Sequence, residues 1–356
     1  RRFTMSNCQA SALSIRQRVQ LDTATRERGL VRRRRWAGRW VTALMMTMMM
    51  MPAVLLLLLG AGCDLAAAME NGLVRTPPLG WMSWMCTSPV NRHNCGNAFR
   101  SQVSSARPWT DRLQRNGQSR YYTTDVSEEI IKGVADELVA GGYKEAGYTY
   151  VCIDDGWSTH RDPVTKQLVA DPAKFPSGMK AVAEYVHSKG LLFGMYADVG
   201  PSTCGGYSGL GMDKNLSSKQ YIQDIATFAE WKVDALKVDG CNESPEMMNV
   251  TYPALSDAIN ASGHPMWLSC SWPCYVGGCF GGPQKIDDDV YTVVQQKCNT
   301  ARDMNDIYDN IDSLYSIIGA YTTPKGIASH NRVNGPGFFS DADMLTAGAG
   351  GLSTVE

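Results

Sequence analysis

The stretch Ala235-Leu-Lys-Val-Asp-Gly-Cys241 is a short apolar run that ends in a carboxylate, Asp239. Two earlier runs end the same way, Tyr148-Thr-Tyr-Val-Cys-Ile-Asp-Asp155 and Leu191-Leu-Phe-Gly-Met-Tyr-Ala-Asp198. A strand buried on both faces offers a carboxylate no partner along its length, but its C-terminal end can open on a solvent-filled mouth. Several such strands separated by helices set a ring of acids around one pocket, the layout of a (β/α) barrel. Working outward, Leu79 to Trp84 reads as the first strand and Pro265 to Cys270 as the fifth. A short sixth is expected near Arg302 to Ile307, and a seventh near Gly337 to Met344. Between them, Asp125 and Glu128 read as a helix capping box, followed by Ile130, Val134 and Leu138 on one apolar face. Met179, Val182 and Val186 line a second helix, and a third runs from about Tyr221 to Trp231. No eighth strand is read before Glu356. The expected fold is therefore an α/β (β/α)8 TIM barrel cut before its eighth strand, with an open seam.

Composition bounds the partners. The formal net charge of −1 hides an asymmetry, because residues 1–68 hold 11 arginines and only Asp22, Glu27 and Asp64 as acids. The remainder carries 23 basic and 32 acidic groups, a balance that disfavours nucleic acid. Residues 1–68 read as a basic leader with a secretory signal peptide: Arg32 to Arg35 and Arg39, then an apolar run from Val41 to Gly60, then Ala66 to Ala68. That run is also long enough for an uncleaved signal anchor. Residues 69–356 read as an incomplete (β/α)8 barrel, interrupted by a polar, aperiodic insertion at about 96–122. Nine cysteines follow the leader, which in a secreted chain implies disulfides with one thiol left over. Four N-glycosylation sequons begin at Asn215, Asn242, Asn249 and Asn260.

The acids and nearby tryptophans suggest chemistry on a sugar. Glycosidic hydrolysis needs a carboxylate near the anomeric carbon and an acid near the leaving oxygen. Asp239 suits the first role, though a helix cap is an equal reading of its spacing. Lys237 lies two residues earlier on the same side of the strand, where a lysine is unusual unless it binds ligand or pairs with an acid. Asp303, Asp306 and Asp309, spaced i, i+3, i+6, read by themselves as an exposed helix face. No His or further acid stands at ligand spacing from Asp154 and Asp155, so no metal is expected, and without a convincing Gly-rich phosphate loop no cofactor is expected either.

Six ordered motifs carry a resemblance: Asn71-Gly-Leu-Val-Arg-Thr-Pro-Pro-Leu-Gly-Trp81, Cys152-Ile-Asp-Asp155, Tyr185-Val-His-Ser-Lys-Gly190, Tyr196-Ala-Asp-Val-Gly200, Leu236-Lys-Val-Asp-Gly-Cys241 and Ser269-Cys-Ser-Trp-Pro273. Together they resemble the α-galactosidase / α-N-acetylgalactosaminidase family, glycoside hydrolase family 27. The resemblance implies a (β/α)8 barrel, a C-terminal antiparallel β domain not seen in this chain, a retaining mechanism, the lysosome and a homodimer. It gives Asp239 the role of nucleophile and Asp306, in Cys298-Asn-Thr-Ala-Arg-Asp-Met-Asn-Asp306-Ile, that of acid/base. Its sugar contacts fall on Trp84, Asp154, Asp155, Tyr196, Cys204, Lys237, Arg302 and Asp343. It pairs Cys204 with Cys241 and Cys270 with Cys298.

Two departures and one specificity segment stand out. Gly156 replaces a family cysteine, which leaves Cys86 to pair with Cys95. The usual Trp-Asn-Asp-Pro-Asp-Met-Leu reads Phe339-Ser-Asp-Ala-Asp-Met-Leu345. In the Ser-Trp-Pro-Cys-Tyr275 segment, Ser271 and Cys274 stand where galactose-specific members carry Glu and Leu. Members accepting N-acetylgalactosamine carry Ser and Ala, small enough to admit an acetamido group. Cys274 is nearly as small as Ala, and a pairing with Cys279 would leave the pocket open. The implied activity is removal of terminal α-linked N-acetylgalactosamine, and more weakly galactose, from glycolipids, glycoproteins and oligosaccharides. A plain α-galactosidase and an inactive sugar-binding homologue are the alternatives.

Overall fold

The apolar runs that end in carboxylates become parallel strands. The structure is a computed structural model, and it describes residues 69, 71–84, 126–212, 214–277, 288–307, 311–322 and 334–344. One sheet joins Gly80–Met82 (β1), Tyr150–Cys152 (β2), Leu192–Asp198 (β5), Ala235–Asp239 (β6), Trp267–Cys270 (β7), Thr300–Arg302 (β8) and Phe339–Asp341 (β9), in that order. Every pairing in it is parallel. These are the seven expected strands, although the sixth starts at Thr300 and ends at Arg302, where the sequence reading had it begin. Ser158–Arg161 (β3) and Leu168–Ala170 (β4) form an unanticipated antiparallel hairpin. Its turn is made by Asp162, whose Oδ1 accepts from the amides of Val164 and Thr165 at 2.8 and 2.6 Å.

Helices fill the connections: Glu128–Ala140 (α1), Met179–Ser188 (α2), Gln220–Glu230 (α3), Pro245–Ala261 (α4), Trp272–Gly277 (α5), Asp288–Lys297 (α6) and Ile311–Thr322 (α7). The capping box expected for α1 is corrected. Ser127 is the N-cap, its side chain accepting from the amide of Ile130, and Glu128 is the first helical residue. Glu128 binds outside the box instead, accepting from the amide and hydroxyl of Ser177 at 2.9 and 2.7 Å. Competition from this long-range partner is invisible to a local motif. The buried face of α1 carries Ile131, Val134, Ala135 and Leu138, with Ile130 only partly buried. Met179, Val182 and Val186 of α2 are buried as expected.

Two contacts demonstrate that the sheet curls. Val74, Ala235 and Trp267 form an apolar cluster at the N-terminal ends of the strands, with Tyr150 and Phe339 packed against it. Tyr150 of β2 and Trp267 of β7 meet edge to face at 5.5 Å, although β5 and β6 stand between their strands. In a flat sheet, strands that far apart could not touch. Residues 71–74 lie at this floor, with Val74 in the cluster and Leu73 packed against it. Asn71 and Asn299 exchange amide hydrogen bonds at 3.1 and 3.2 Å. Asn299 also accepts from Leu268 N and donates to Gly337 O, both at 3.1 Å. The main core lies between sheet and helices, where Val151, Phe193, Met195, Leu236 and Val238 meet Val134, Val182, Phe228 and Tyr252. Burial on both faces explains why these strands read as apolar runs rather than alternations. Among the described residues, no helix is long and apolar enough to cross a membrane.

Candidate active site

The strand parity of β6 turns Leu236 and Val238 into the core and Lys237 and Asp239 toward the mouth. Lys237 Nζ lies 2.7 Å from Asp154 Oδ2 and 3.9 Å from Asp239 Oδ2. It also sits over the rings of Tyr196 and Trp84, at 5.3 and 5.8 Å. Burial opposes its charge, but Asp154 and Asp239 outweigh that and hold the ammonium above the usual lysine range. Asp154 is held in turn by the amide of Asp155, which donates to Oδ1 at 2.8 Å. Its own amide donates to Ser83 Oγ at 2.7 Å, a support the sequence reading missed.

Arg302, the last residue of β8, is 4% exposed and serves three acids. Its Nη2 lies 3.6 Å from Asp239 Oδ1, and its Nη1 pairs with Asp306 and lies 3.6 Å from Asp343 Oδ2. One guanidinium therefore bridges Asp239 and Asp306. Residues 303–307 form the loop after β8, so Asp303 and Asp306 lie on no helix face, which corrects that reading. A barrel strand must end in a loop at the mouth, and that requirement overrides the spacing. Asp309 lies outside the described residues. Burial opposes the charge of Asp239, yet Lys237, Arg302 and the hydroxyls of Ser271 and Tyr196 together hold it below the usual carboxylate range. Asp343 adopts a φ of 69°, a left-handed conformation that Asp tolerates through local hydrogen bonding. Its Oδ2 accepts from Ile307 N at 2.9 Å and its Oδ1 from Met344 N at 2.7 Å. Trp84 donates its indole N–H to Ile307 O at 3.2 Å, so β1 and the loop after β8 meet across the mouth.

The wall beside Asp239 is covalent. Cys204 and Cys241 are bonded, as are Cys270 and Cys298. Cys204 Sγ lies 3.7 Å from Asp239 Oδ2, and Tyr196 donates to it at 3.3 Å. Tyr275 Oη lies 2.9 Å from Cys241 Sγ. Asp198, also beside this pair, forms with it a cluster of metal-ligand type, but the disulfide consumes both thiols. Instead, Asp198 accepts from Gly200 N at 2.8 Å and Cys241 N at 2.9 Å, tethering the turn that follows Asp239. Gly200 is obligatory there, because a Cβ would sit 2.8 Å from the backbone of Asn242. Burial pushes Asp198 up to about 7. Asp155 is likewise raised by burial, to about 6, and accepts from Gly205 N at 2.8 Å and Gly156 N at 2.7 Å. The sequence signal for Asp198 was present, an acid ending the third strand, but its tethering role depends on the neighbouring strand.

Ser271 donates to Asp239 Oδ1 at 2.5 Å. Cys274 is buried and disulfide-bonded, and contacts Met304 O at 3.3 Å. Its expected partner Cys279 lies outside the described residues, as do Cys86, Cys95, the 96–122 insertion and the leader. Among the described residues the free thiol is Cys152, buried and raised to about 12 by that burial, so it is unreactive.

The family profile described as "Alpha galactosidase A" matches residues 111–356. The chain belongs to this family, glycoside hydrolase family 27. Its sequence is 38% identical over 285 residues to the α-N-acetylgalactosaminidase of Homo sapiens, covering 80% of this chain and 60% of that one. It is 36% identical over 291 residues to the α-galactosidase A of Homo sapiens, covering 81% and 58% respectively. Among solved structures, α-galactosidase I from Mortierella vinacea superposes with a TM-score of 0.58 at 28% identity, over 80% of this chain and 63% of that one. The chain thus spans about three fifths of the length of the curated relatives it matches. Gly156 takes a φ of 88°, a left-handed conformation that glycine adopts without strain.

Proposed function

We propose that this family 27 chain carries the barrel of a retaining exo-α-glycosidase that removes terminal α-linked N-acetylgalactosamine, and more weakly galactose, from glycolipids, glycoproteins and oligosaccharides. The observation that carries the reading is the Arg302 bridge between Asp239 and Asp306. It supports a pair in which Asp239 attacks the anomeric carbon while Asp306 protonates the leaving oxygen. Asp306 then takes a proton from the water that releases the sugar. Two cations beside Asp239 favour its ionised form, the form a nucleophile needs. Trp84 and Tyr196 form the apolar side of the mouth, and Asp154, Asp155, Cys204, Lys237, Tyr275, Arg302 and Asp343 bind sugar hydroxyls around it.

The acetamido preference rests on Ser271 and Cys274. The one donor of Ser271 is committed to Asp239, so it can only accept from an acetamido N–H, and its small size makes the room. The test is the ratio of kcat/KM on chromogenic N-acetylgalactosaminide and galactoside. The double change Ser271→Glu and Cys274→Leu is expected to shift that ratio toward galactose by roughly 10²-fold. A native preference for galactose, or an unmoved ratio, would install the plain α-galactosidase reading.

The leader, the disulfides and the sequons support secretion or the lysosome, and the family resemblance implies a homodimer. Asn215, Asn249 and Asn260 are exposed acceptors. Asn242 Nδ2 is engaged, donating to Ser202 O at 2.9 Å and Thr203 O at 3.1 Å. Glycan mapping by mass spectrometry should therefore show lower occupancy at Asn242 than at Asn249 and Asn260.

A further inference from the structure

Ser271 is placed by the fold rather than by a ligand. Its amide donates to Val238 O at 3.0 Å and its carbonyl accepts from Tyr275 N at 3.3 Å. The preceding Cys270 is tied to Cys298. The following Trp272 stacks on Tyr252 with 5.5 Å between ring centroids and 2° between planes. Tyr252 in turn donates its hydroxyl to Val238 O at 2.9 Å. Thus a disulfide, an aromatic stack and the β6–β7 backbone fix the side chain, which is 1% exposed.

From this fixed position the hydroxyl meets one oxygen of Asp239. Ser271 Oγ and Arg302 Nη2 both face Oδ1, at 2.5 and 3.6 Å. Oδ2 faces Lys237 at 3.9 Å and Cys204 Sγ at 3.7 Å, neither a short hydrogen bond, and the Tyr196 hydroxyl is a second donor to the carboxylate. We infer that Ser271 is a positioning residue for Asp239: by holding Oδ1 it fixes the rotation of the carboxylate and leaves Oδ2 to bond the anomeric carbon, whichever sugar occupies the mouth. The inference rests on the reading of Asp239 as nucleophile and deepens it.

The chemistry balances on this assignment. An Oδ2 lone pair forms the bond to carbon as the bond to the leaving oxygen breaks and Asp306 supplies that oxygen's proton. In the second step water bonds the carbon, Asp306 takes its proton, and the ester electrons return to the carboxylate. The hydrogen bond from Ser271 is charge-assisted whenever Asp239 is ionised, so it favours the carboxylate as leaving group. The other charged or titratable groups facing Asp239 are Lys237 on its own strand, Asp154 just after β2, Tyr196 and Asp198 on β5, Tyr252 on α4, Tyr275 on α5, and Arg302 with Asp306 from β8 and its loop. None of them is altered by shortening Ser271.

The experiment compares Ser271→Ala with Ser271→Thr in the full chain, on both chromogenic substrates across pH. The alanine variant should lower kcat on both sugars by a similar factor, about tenfold. The acid limb of kcat/KM should move up by about one pH unit, and threonine, which keeps the hydroxyl, should restore both. A defect confined to KM on the N-acetylgalactosaminide, with the pH profile unmoved, would overturn the inference and make Ser271 a substrate contact only. A second readout needs no turnover. The carboxyl ¹³C signal of Asp239, assigned by its loss in Asp239→Asn, should titrate at higher pH in Ser271→Ala than in the unaltered protein. An unchanged titration also overturns the inference. If the unaltered protein cleaved neither sugar, the proposed function would fail by itself, while this titration would still decide the Ser271 contact.

Discussion

The two ends of the curled sheet use the same strands for opposite purposes. At the N-terminal end, Val74, Ala235 and Trp267 close an apolar floor with Tyr150 and Phe339. At the C-terminal end, Lys237, Asp154, Asp239, Arg302, Asp306 and Asp343 crowd together, each within 4.0 Å of an opposite charge. Strand β6 shows the change within five residues: Ala235 belongs to the floor, while Lys237 and Asp239 belong to the mouth. Burying an apolar side chain stabilises the fold by roughly 1.5–3 kcal/mol. Burying an ion costs several kcal/mol, which pairing only partly offsets. The floor therefore supplies stability and the mouth consumes it, which ties the two ends together energetically.

The largest expected effects separate the ends by activity. Asp239→Asn should reduce turnover by about 10³-fold or more, because an amide cannot form the glycosyl ester. Asp306→Asn should cost about 10²–10⁴-fold by removing the proton donor. NMR of the first-formed sugar checks the pair: an α product from an α substrate is expected, and a β product breaks the retaining assignment. The floor should respond in the opposite sense. Trp267→Ala should cost about 3–5 kcal/mol in denaturant unfolding while kcat/KM per folded molecule stays nearly unchanged. A loss of activity out of proportion to the loss of folded protein would show that floor and mouth are not separable.

The charged mouth also predicts a pH dependence of stability. Asp155 is raised to about 6 and Asp198 to about 7, both chiefly by burial. An unfolded Asp titrates at about 3.9, so between pH of about 4 and 7 the folded chain holds protons that the unfolded chain has shed. Their contribution is fully present below about pH 4 and is lost as pH rises through the folded values. Asp239, held below its ordinary value, acts in reverse and loses its contribution as pH falls. Burial also raises Asp303, to about 7, and lifts Asp154 and Asp343, so the raised acids of the mouth outnumber Asp239 and the Tm should fall by roughly 5 °C from pH 4.5 to 7.5. Asp198→Asn should flatten that fall. A Tm that rises across this window would contradict the burial argument. The smallest effect is a control on charge without burial. The surface pair Lys180–Glu230 sits at 3.5 Å with side chains 53% and 66% exposed. Glu230→Gln should change stability by less than about 0.5 kcal/mol in the same unfolding assay.

What was legible in the sequence was local and periodic. Apolar runs located seven strands, because strands buried on both faces leave a continuous signature. Parity two placed Lys237 and Asp239 on one side of β6 from their spacing alone, and the family motifs supplied the pairings of Cys204 with Cys241 and Cys270 with Cys298. What only the tertiary structure decided depends on residues far apart in the chain. Ser177 drew Glu128 out of its expected cap, and the loop after β8 replaced the helix face expected for Asp303 and Asp306. Asp198 found the Cys241 amide, Arg302 met Asp239 and Asp306 together, and Ser271 met the Asp239 carboxylate. A period is written into neighbouring residues because backbone geometry repeats over short distances. The partner of a strand's last side chain is chosen only when the sheet curls and brings the strand ends around one mouth.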